Sequence, residues 1–323
     1  MRFGARRVGA ALLLALVSCG DARERLVVRT DLPEPLREVA ERTFEASEPD
    51  IDIRFSVRSL EETLEELGDP DAEPAFDVWW GAPAGEAERA LREGRVRSWE
   101  PILETPFVIA FDLDRVGIPD APADWLDLFH HGWFEEVALP DPRSSDRGAA
   151  FVTAVVADRV RAADDSYIGF EWLGRLDRQV VRYPPDVRET LRALRLGQVS
   201  LVIAPRAEVE AARPDWEGRL YYVIPESGVP ALVRVVAITA TAGEPGSDAA
   251  ARFAEHVRSS EVLTAAKLHT RWEPVGPWDE GRLPDDFELD RPWTTYPLAV
   301  DLAVDSGDVW LERWNRDVRG RGK

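Results

Sequence analysis

The sequence predicts an α/β protein whose strands alternate with helices. The apolar or alternating runs LVVRT (26–30), IDIRFSV (51–57) and FDVWWG (76–81) each precede a segment with helical spacing of apolar residues. Strands that alternate with helices in this way are typical of parallel or mixed sheets with helical crossovers. We therefore expect an α/β protein with parallel or mixed sheets.

Local signals support the first helices. In the segment PEPLREVAERTFEA the apolar side chains share one helical face, and Pro33 stands near the first turn, where its missing N–H costs no hydrogen bond. Ser59 followed by Glu62 is a capping-box pattern that opens a second helix. Gly94 ends a third helix that begins near residue 84.

The alternation continues through the rest of the chain. We predict strands at 106–112, 135–140, 179–183, 200–204, 220–225 and 231–240, with helices at about 147–163, 167–177 and up to Gly197. From Gly246 onwards the pattern is mainly helical and ends in WLERWNRDV (310–318).

The first 18 residues have the features of a secretory signal. Three arginines precede an apolar stretch from Val8 to Val17, which is too short to span a bilayer. The sequence LVSC (16–19) resembles the bacterial lipobox, and Cys19, the chain's single cysteine, is then the lipidated first residue of the mature protein. The alternative is a chance cysteine at the end of an ordinary signal peptide.

The length and the charge of the chain limit the number of domains and the kinds of partner that the mature protein can have. Removal of the leader leaves about 305 residues, enough for about two domains, and takes the formal charge from −20 to −23. So negative a surface disfavours nucleic acid and anionic lipid as partners, although a local cleft can carry the opposite sign. The sequence has no second apolar run of membrane-spanning length, so we expect a protein held outside the cytoplasm by lipid alone.

Polar residues collect where the predicted strands end. In open α/β sheets, ligands bind outside the carboxyl ends of the strands, where loops lead into helix N-termini. The segments at such positions are 30–31, 80–82, 142–148, 184–186, 205–206 and 226–228. A ligand cleft is the predicted common location of these segments.

The chain resembles family 1 of the bacterial extracellular solute-binding proteins, which includes binders of ferric iron, 2-aminoethylphosphonate and phosphorylated sugars. The resemblance covers most of residues 26–262, and its most specific part runs from WLDLF (125–129) to ALPDPRSS (138–145). It implies the type II periplasmic-binding-protein fold, in which hinge strands, here near 105–112 and 231–240, join two α/β lobes. The implied division is a signal peptide (1–18), a lipid-anchored linker (19–25), lobe I (26–107 and 233–323) and lobe II (108–232).

The resemblance also implies a function. A lipid-anchored, monomeric receptor would close on a small polar solute, anionic or zwitterionic, and deliver it to the transmembrane subunits of an ABC permease, without a cofactor or catalysis. Three alternatives stay open: ferric-iron uptake, a sensory binding protein, and an extracytoplasmic hydrolase that uses paired carboxylates. The hydrolase is disfavoured because the sequence has no GxSxG, HExxH or glycine-rich phosphate loop.

The residues depart from the iron-binding members of the family. Those members place a tyrosine pair just after the strand that matches SLVIA, whereas this chain has Pro205, Arg206, Ala207 and Glu208 there. Tyr221 and Tyr222 lie inside the following strand, where a core or edge position is expected. The four histidines form no ligand spacing with carboxylates, so no metal site is predicted.

The segment LPDPRSSDRGAA (139–150) is predicted to form one wall of the cleft, and it contains the main candidate ligand-binding residues. Ser144 and Ser145 precede a helix whose first N–H groups lack internal partners, and Arg143 and Arg147 flank the same turn, so an anion is expected to bind there. The alternative is that the serines are ordinary helix caps. Arg206 offers a fork that suits carboxylate or phosphate, or else forms a surface ion pair with Glu208 or Glu210.

The remaining candidates follow other strands. Thr30 and Asp31 end the first strand, although Asp31 could instead cap the next helix. Trp79 and Trp80 point to opposite faces of their strand, so at most one borders the cleft, and Trp80, next to Gly81, is the predicted wall. Glu226, at the end of another strand, suits a cationic group on the ligand.

Overall fold

The computed structural model describes residues 23–69, 72–242, 249–275, 293–296 and 298–319. Within them the strands are β1 (Glu24–Thr30), β2 (Ile51–Val57), β3 (Val78–Pro83), β4 (Val96–Asp112), β5 (Val137–Ala138), β6 (Val180–Arg182), β7 (Leu201–Pro205), β8 (Leu220–Val223), β9 (Ala231–Thr239) and β10 (Glu273–Pro274). The α-helices are α1 (Glu34–Ser47), α2 (Leu60–Gly68), α3 (Ala84–Arg92), α4 (Asp146–Ala163), α5 (Ser166–Asp177), α6 (Val187–Arg195), α7 (Arg206–Ala212), α8 (Ala249–His256), α9 (Ser260–Thr270) and α10 (Val300–Arg313). The α/β class predicted from the sequence is confirmed.

The strands form two sheets that share β4. The first sheet has the order β2-β1-β3-β9-β4, with β10 also paired to β4, and the second has the order β4-β7-β5-β6, with β8 also paired to β4. Strands β1, β2 and β3 are parallel to one another, as are β5, β6 and β7, whereas β4 and β9 run antiparallel to their neighbours. We call the first sheet with its helices lobe I and the second sheet with its helices lobe II.

Strand β4 runs through both lobes and is longer than the sequence predicted. Its first half pairs with β9, up to Pro106 opposite Ala231, and its second half pairs with β7 and β8. The ladder with β9 shifts register twice, between Val96 and Ser98 and between Pro101 and Leu103. These irregularities break the alternation on which a sequence reading relies, and for that reason the strand was predicted only from residue 106.

Each lobe has its own apolar core. In lobe I, Leu36, Ala40 and Phe44 of α1 pack on the first sheet, as the helical spacing predicted. In lobe II, Phe107 and Phe151 pack together with ring centroids 5.2 Å apart. The capping box of Ser59 and Glu62 is also confirmed, since each side chain bonds the backbone N–H of the other residue.

The C-terminal helix contacts both lobes. Val300 of α10 belongs to a core cluster of lobe I, whereas Trp310 and Trp314 pack in the main core of lobe II. The Trp314 ring lies 5.3 Å from that of Tyr183. Segment 314–318 continues α10 as a short π-helix. The lobe boundaries proposed from the sequence remain a prediction, but the end of the chain packs against lobe II.

In the described part of the chain, no helix is both long enough and apolar enough to cross a bilayer. The predicted signal peptide and the lipidation candidate Cys19 lie outside the described residues.

Candidate ligand-binding site

Two groups of residues, one from each lobe, lie near each other. In lobe I, Arg234 of strand β9 bonds Asp31 and Gly81, and in lobe II, Arg147 bonds Glu208, whose carboxylate also feels the charge of Arg234. We call this set the cleft cluster. The carboxyl ends of strands are the expected binding edge of an α/β sheet, and Asp31, Gly81 and Arg147 belong to the segments proposed from the sequence; ligand binding by them stays a prediction.

Arg234 is the central cation of the cleft cluster. Its Nη1 donates to Asp31 Oδ1 and to the Gly81 carbonyl, both at 2.7 Å, and its Nη2 donates to Asp31 Oδ2 at 3.2 Å. The guanidinium also lies 5.2 Å from the ring centroid of Trp272. A fork-to-fork pair with an aromatic neighbour fixes the plane of a guanidinium, so Arg234 is held in one orientation beside the cleft.

Gly81 presents its carbonyl to Arg234 because β3 is irregular at this point. The ladder between β3 and β9 shifts register between Trp80 and Ala82, and Gly81 has φ +88°. A Cβ at this position would come within 3.0 Å of the Leu32 side chain. Glycine is therefore required both by the backbone conformation and by the space available.

Arg147 and Glu208 form the lobe II side of the cleft cluster. Arg147 Nε donates to Glu208 Oε1 at 3.2 Å, and its Nη1 donates to Asp146 at 2.8 Å. Burial raises the pKa of Glu208, against the lowering effect of Arg147 and, more weakly, of Arg234. Glu208 is therefore close enough to Arg234 for their charges to interact.

The serine turn 141–145 is organised by Asp141. The Asp141 carbonyl accepts from the backbone N–H groups of Ser144 and Ser145, and its carboxylate accepts from Arg143 and Arg319. Burial opposes ionisation of Asp141, but the hydrogen bonds from Arg143 and the charge of Arg319 outweigh it, so the pKa lies below its ordinary value. The exposed Arg143 is thereby bound to the protein's own carboxylate.

The two serines have different environments. Ser145 is 8% exposed and caps α4, with its hydroxyl accepting from the Gly148 N–H at 3.4 Å. Ser144 is exposed, and its hydroxyl donates to the Pro185 carbonyl at 3.2 Å. Ser145 therefore has the geometry of an ordinary helix cap, which was the alternative to ligand binding. Ser144 is the serine more accessible to a ligand.

Single alanine variants should separate these roles. We expect Ser145→Ala to lower the free energy of unfolding by about 1 kcal/mol through loss of the cap. Ser144→Ala should leave stability nearly unchanged and lower affinity for an anionic ligand by about tenfold or more, the value of one hydrogen bond to a charged group. Urea denaturation and isothermal titration calorimetry on both variants test this. Unchanged affinity in Ser144→Ala would leave both serines with structural roles only.

Arg206 is buried, and its guanidinium is bonded to other residues of the protein. It is 9% exposed, its Nε donates to the Tyr222 hydroxyl at 3.0 Å and its Nη1 to Glu273 Oε1 at 2.9 Å. The guanidinium also lies 5.2 Å from the Trp293 ring. Burial alone would lower the pKa of Arg206, but the bonds to Tyr222 and Glu273 outweigh it and raise the pKa. The partner Glu273 was not foreseen, and neither Glu208 nor Glu210 pairs with Arg206.

The prediction for Trp80 needs correction. Trp80 is 1% exposed and packs between Phe55 and Phe253 in the lobe I core, with centroid distances of 6.2 and 5.7 Å. Trp79, on the other face of β3, is buried in a separate cluster. Both tryptophans are core residues because helices cover both faces of the strand.

Two further candidates lie at strand ends. Thr30 is buried, and its hydroxyl accepts from the Leu32 N–H at 3.1 Å, which shapes the turn that presents Asp31. Glu226 is exposed in a loop that is fixed by Ser227, whose backbone and side chain both donate to Asp124. Ligand contact by Glu226 stays a prediction.

A cavity of about 170 Å³ opens beside the cleft cluster. It is lined by Asp31, Leu32, Pro33, Leu103, Arg234, His269, Thr270 and Trp272. At roughly 30 Å³ per water, this volume corresponds to about five or six water molecules. A small solute fits such a space, which is lined by both polar and apolar side chains.

Sequence reasoning missed Arg234 and Trp272, and it assigned no ligand role to Glu208. A signal for Arg234 was present, because it is the single charged residue within the otherwise apolar strand β9, ALVRVVAIT. A single arginine within an apolar strand indicates that its charge is paired with a buried or partly buried group. The sequence offered no comparable signal for Trp272.

The tyrosines and acidic residues bear on metal binding. Tyr222 donates to Glu210 at 2.7 Å and accepts from Arg206, whereas Tyr221 is 38% exposed on β8. Across the described ranges, no group of three or more His, Cys, Asp and Glu side chains is arranged to hold a metal ion.

Comparison with known proteins identifies the family. A model of the bacterial extracellular solute-binding proteins matches residues 25–269. The chain belongs to this family. A probable ABC transporter periplasmic-binding protein of Sinorhizobium fredii is 23% identical over 217 residues, which make up 67% of this chain and 60% of that protein. The chain thus matches about 60% of the length of this curated relative.

Solved solute-binding proteins share the fold. FutA (IdiA) of Trichodesmium, in complex with iron and citrate, superposes with a TM-score of 0.74 at 12% identity, covering 90% of this chain and 98% of that one. A Bordetella ferric binding protein gives 0.71 at 15% identity, covering 91% and 98%. AfuA of Actinobacillus pleuropneumoniae, with fructose-6-phosphate bound, gives 0.65 at 18% identity, covering 92% and 99%. The predicted two-lobed fold is therefore confirmed, and identities this low carry nothing about the ligand.

Proposed function

We propose that the protein captures a small polar solute, anionic or zwitterionic, between its lobes outside the cytoplasm and delivers it to an ABC-type permease. The observation that carries the proposal is the cleft cluster, in which residues from both lobes and from strand β9 bring two arginines and two carboxylates together. Family membership supports the same function. Capture and delivery require no chemical step, so we propose no catalytic residues.

Lobe closure is the proposed mechanism of capture. The described lobes are connected through β4 and through the segment that leads into β9, where the Phe107 N–H bonds the Pro230 carbonyl at 2.8 Å. Small backbone rotations near residues 105–107 and 229–231 would move one lobe against the other. The proposed division remains lobe I at 26–107 and 233–323 and lobe II at 108–232, with α10 in contact with both.

A ligand screen by thermal shift tests the proposal. The panel holds phosphonates, sugar phosphates, organic acids, amino acids, polyamines and ferric citrate. A solute that binds only the folded state stabilises it by about 2.7 kcal/mol at one hundred times its Kd, so we expect Tm to rise by about 5 °C or more. A complete panel without any shift would contradict solute binding.

We also propose that Cys19 carries a lipid anchor. The leader pattern and the LVSC motif support this assignment. Cys19→Ser should move the protein from the membrane fraction to the soluble extracytoplasmic fraction without changing ligand affinity. Mass spectrometry of the wild type should find acyl chains on an N-terminal cysteine. An unmodified thiol, or a Ser variant that stays with the membrane, would contradict the anchor.

A further inference from the structure

We infer that Glu208 makes the cleft selective for solutes that carry a protonated amine close to an anionic group. The inference rests on the proposed function, because it assigns a ligand class to the same cleft. It depends on the hydrogen bonding of one carboxylate, the charge balance of the cleft cluster and the size of the adjacent cavity.

One oxygen of the Glu208 carboxylate lacks a hydrogen-bond donor among the described residues, although Arg147 and the backbone N–H of Glu208 both stabilise the ionised carboxylate. Oε1 accepts from Arg147, whereas Oε2 is buried and has no hydrogen-bond partner in the described part of the chain. A buried acceptor without a donor is unfavourable, and most such atoms in folded proteins are paired. An ammonium group of a ligand would supply both a donor and a compensating charge.

The two arginines of the cleft cluster supply hydrogen-bond donors for the anionic group of the ligand. Arg234 donates three hydrogen bonds to Asp31 and Gly81, and Arg147 donates one each to Glu208 and Asp146. A guanidinium has five N–H groups, so both arginines keep donors for a ligand. The start of α4 at the serine turn adds a favourable field for negative charge.

Charge balance favours a solute with both signs. The cleft cluster contains two arginines and two carboxylates, so its formal charge is zero. A purely anionic solute would bring uncompensated negative charge close to Asp31 and Glu208 when the lobes close. A zwitterion would leave the desolvated site neutral, which avoids the cost of enclosing a net charge.

The cavity next to the cleft cluster has room for a small solute. Its 170 Å³ lies next to Asp31 and Arg234, with Trp272 on its wall. This space accommodates a short aminoalkyl acid. The ligand class is therefore a compact amino acid, aminophosphonate or aminosulfonate.

The test compares matched pairs of solutes that differ only in the amine. By isothermal titration calorimetry, the wild-type protein is titrated with 3-aminopropanoate and propanoate, 2-aminoethylphosphonate and ethylphosphonate, and taurine and ethanesulfonate. At least one amine should bind, and about tenfold or more tighter than its partner, since one hydrogen bond between charged groups is at stake.

Two variants then assign the preference to Glu208. Glu208→Gln keeps the shape of the side chain and should remove most of the preference, while the weak binding of the partner without an amine stays unchanged. Glu210→Gln is the control, because this carboxylate lies on the same helix but bonds Tyr222 and Arg213. The control should keep the full preference, and melting curves should show both variants folded.

Three results would overturn the inference. One is equal binding of both members of every pair that binds, and another is a preference that survives in Glu208→Gln. The third is binding confined to sugar phosphates, organic acids or ferric citrate, which would leave the proposed solute-binding function in place. Complete failure of the wider thermal-shift panel would instead remove the proposed function as well.

Discussion

Arg234→Ala should lower ligand affinity by about a hundredfold or more. Arg234 is oriented by Asp31, Gly81 and Trp272 and keeps N–H groups that these contacts do not use. One or two hydrogen bonds to a charged ligand group, together worth about 3 kcal/mol, would be lost. Calorimetric titration with the ligand found by the thermal-shift screen measures the effect.

A second arginine provides the matched control for this prediction. Arg182→Ala removes an exposed strand arginine of β6 and should leave affinity unchanged. Arg234→Ala is expected to stay folded, because its partner Asp31 is well exposed to solvent. A decrease of less than about threefold in the affinity of Arg234→Ala would show that Arg234 only supports the structure.

Arg206→Ala should destabilise the protein by about 3 kcal/mol and leave the affinity of the folded protein nearly unchanged. Glu273 is 1% exposed and is paired with Arg206 at 2.9 Å and with Lys267 at 3.0 Å. Removal of one partner from a buried pair is strongly destabilising because the other charge stays buried. Urea denaturation with parallel calorimetric titration separates the two effects.

The control for Arg206 is an arginine in an exposed ion pair. Arg213 contacts Glu210 at 3.1 Å near the protein surface, and Arg213→Ala should cost less than about 1 kcal/mol. Arg206→Met combined with Glu273→Leu should recover part of the lost stability, because neither charge of the buried pair then remains without its partner. Unchanged stability with lost binding in Arg206→Ala would restore Arg206 as a ligand residue.

The α/β architecture could be predicted from the sequence because it is determined by local periodicity. The runs 26–30 and 51–57 and the face formed by Leu36, Ala40 and Phe44 fall where the patterns placed them. The first half of β4 was missed because register shifts remove the alternation there. Trp80 was misplaced because strand alternation shows which residues share a face but not what covers that face.

The candidate site was predictable only in part. Asp31, Gly81 and the serine turn could be proposed from the sequence because strand ends and helix starts are visible there. The roles of Arg234 and Glu208 depend on contacts between residues far apart in the chain, such as the bond from Arg234 to Asp31. Arg206 has a side chain that suits an anionic ligand, and it follows the end of β7. Its guanidinium instead bonds Glu273, which lies 67 positions away in the sequence.

Small-angle X-ray scattering with and without ligand tests the central claim most directly. If the solute binds between the lobes and closes them, the radius of gyration should fall on addition of the ligand found in the thermal-shift screen. The same ligand concentration should leave Arg234→Ala in the open form. A ligand that binds with high affinity but leaves the radius of gyration unchanged would contradict capture by lobe closure.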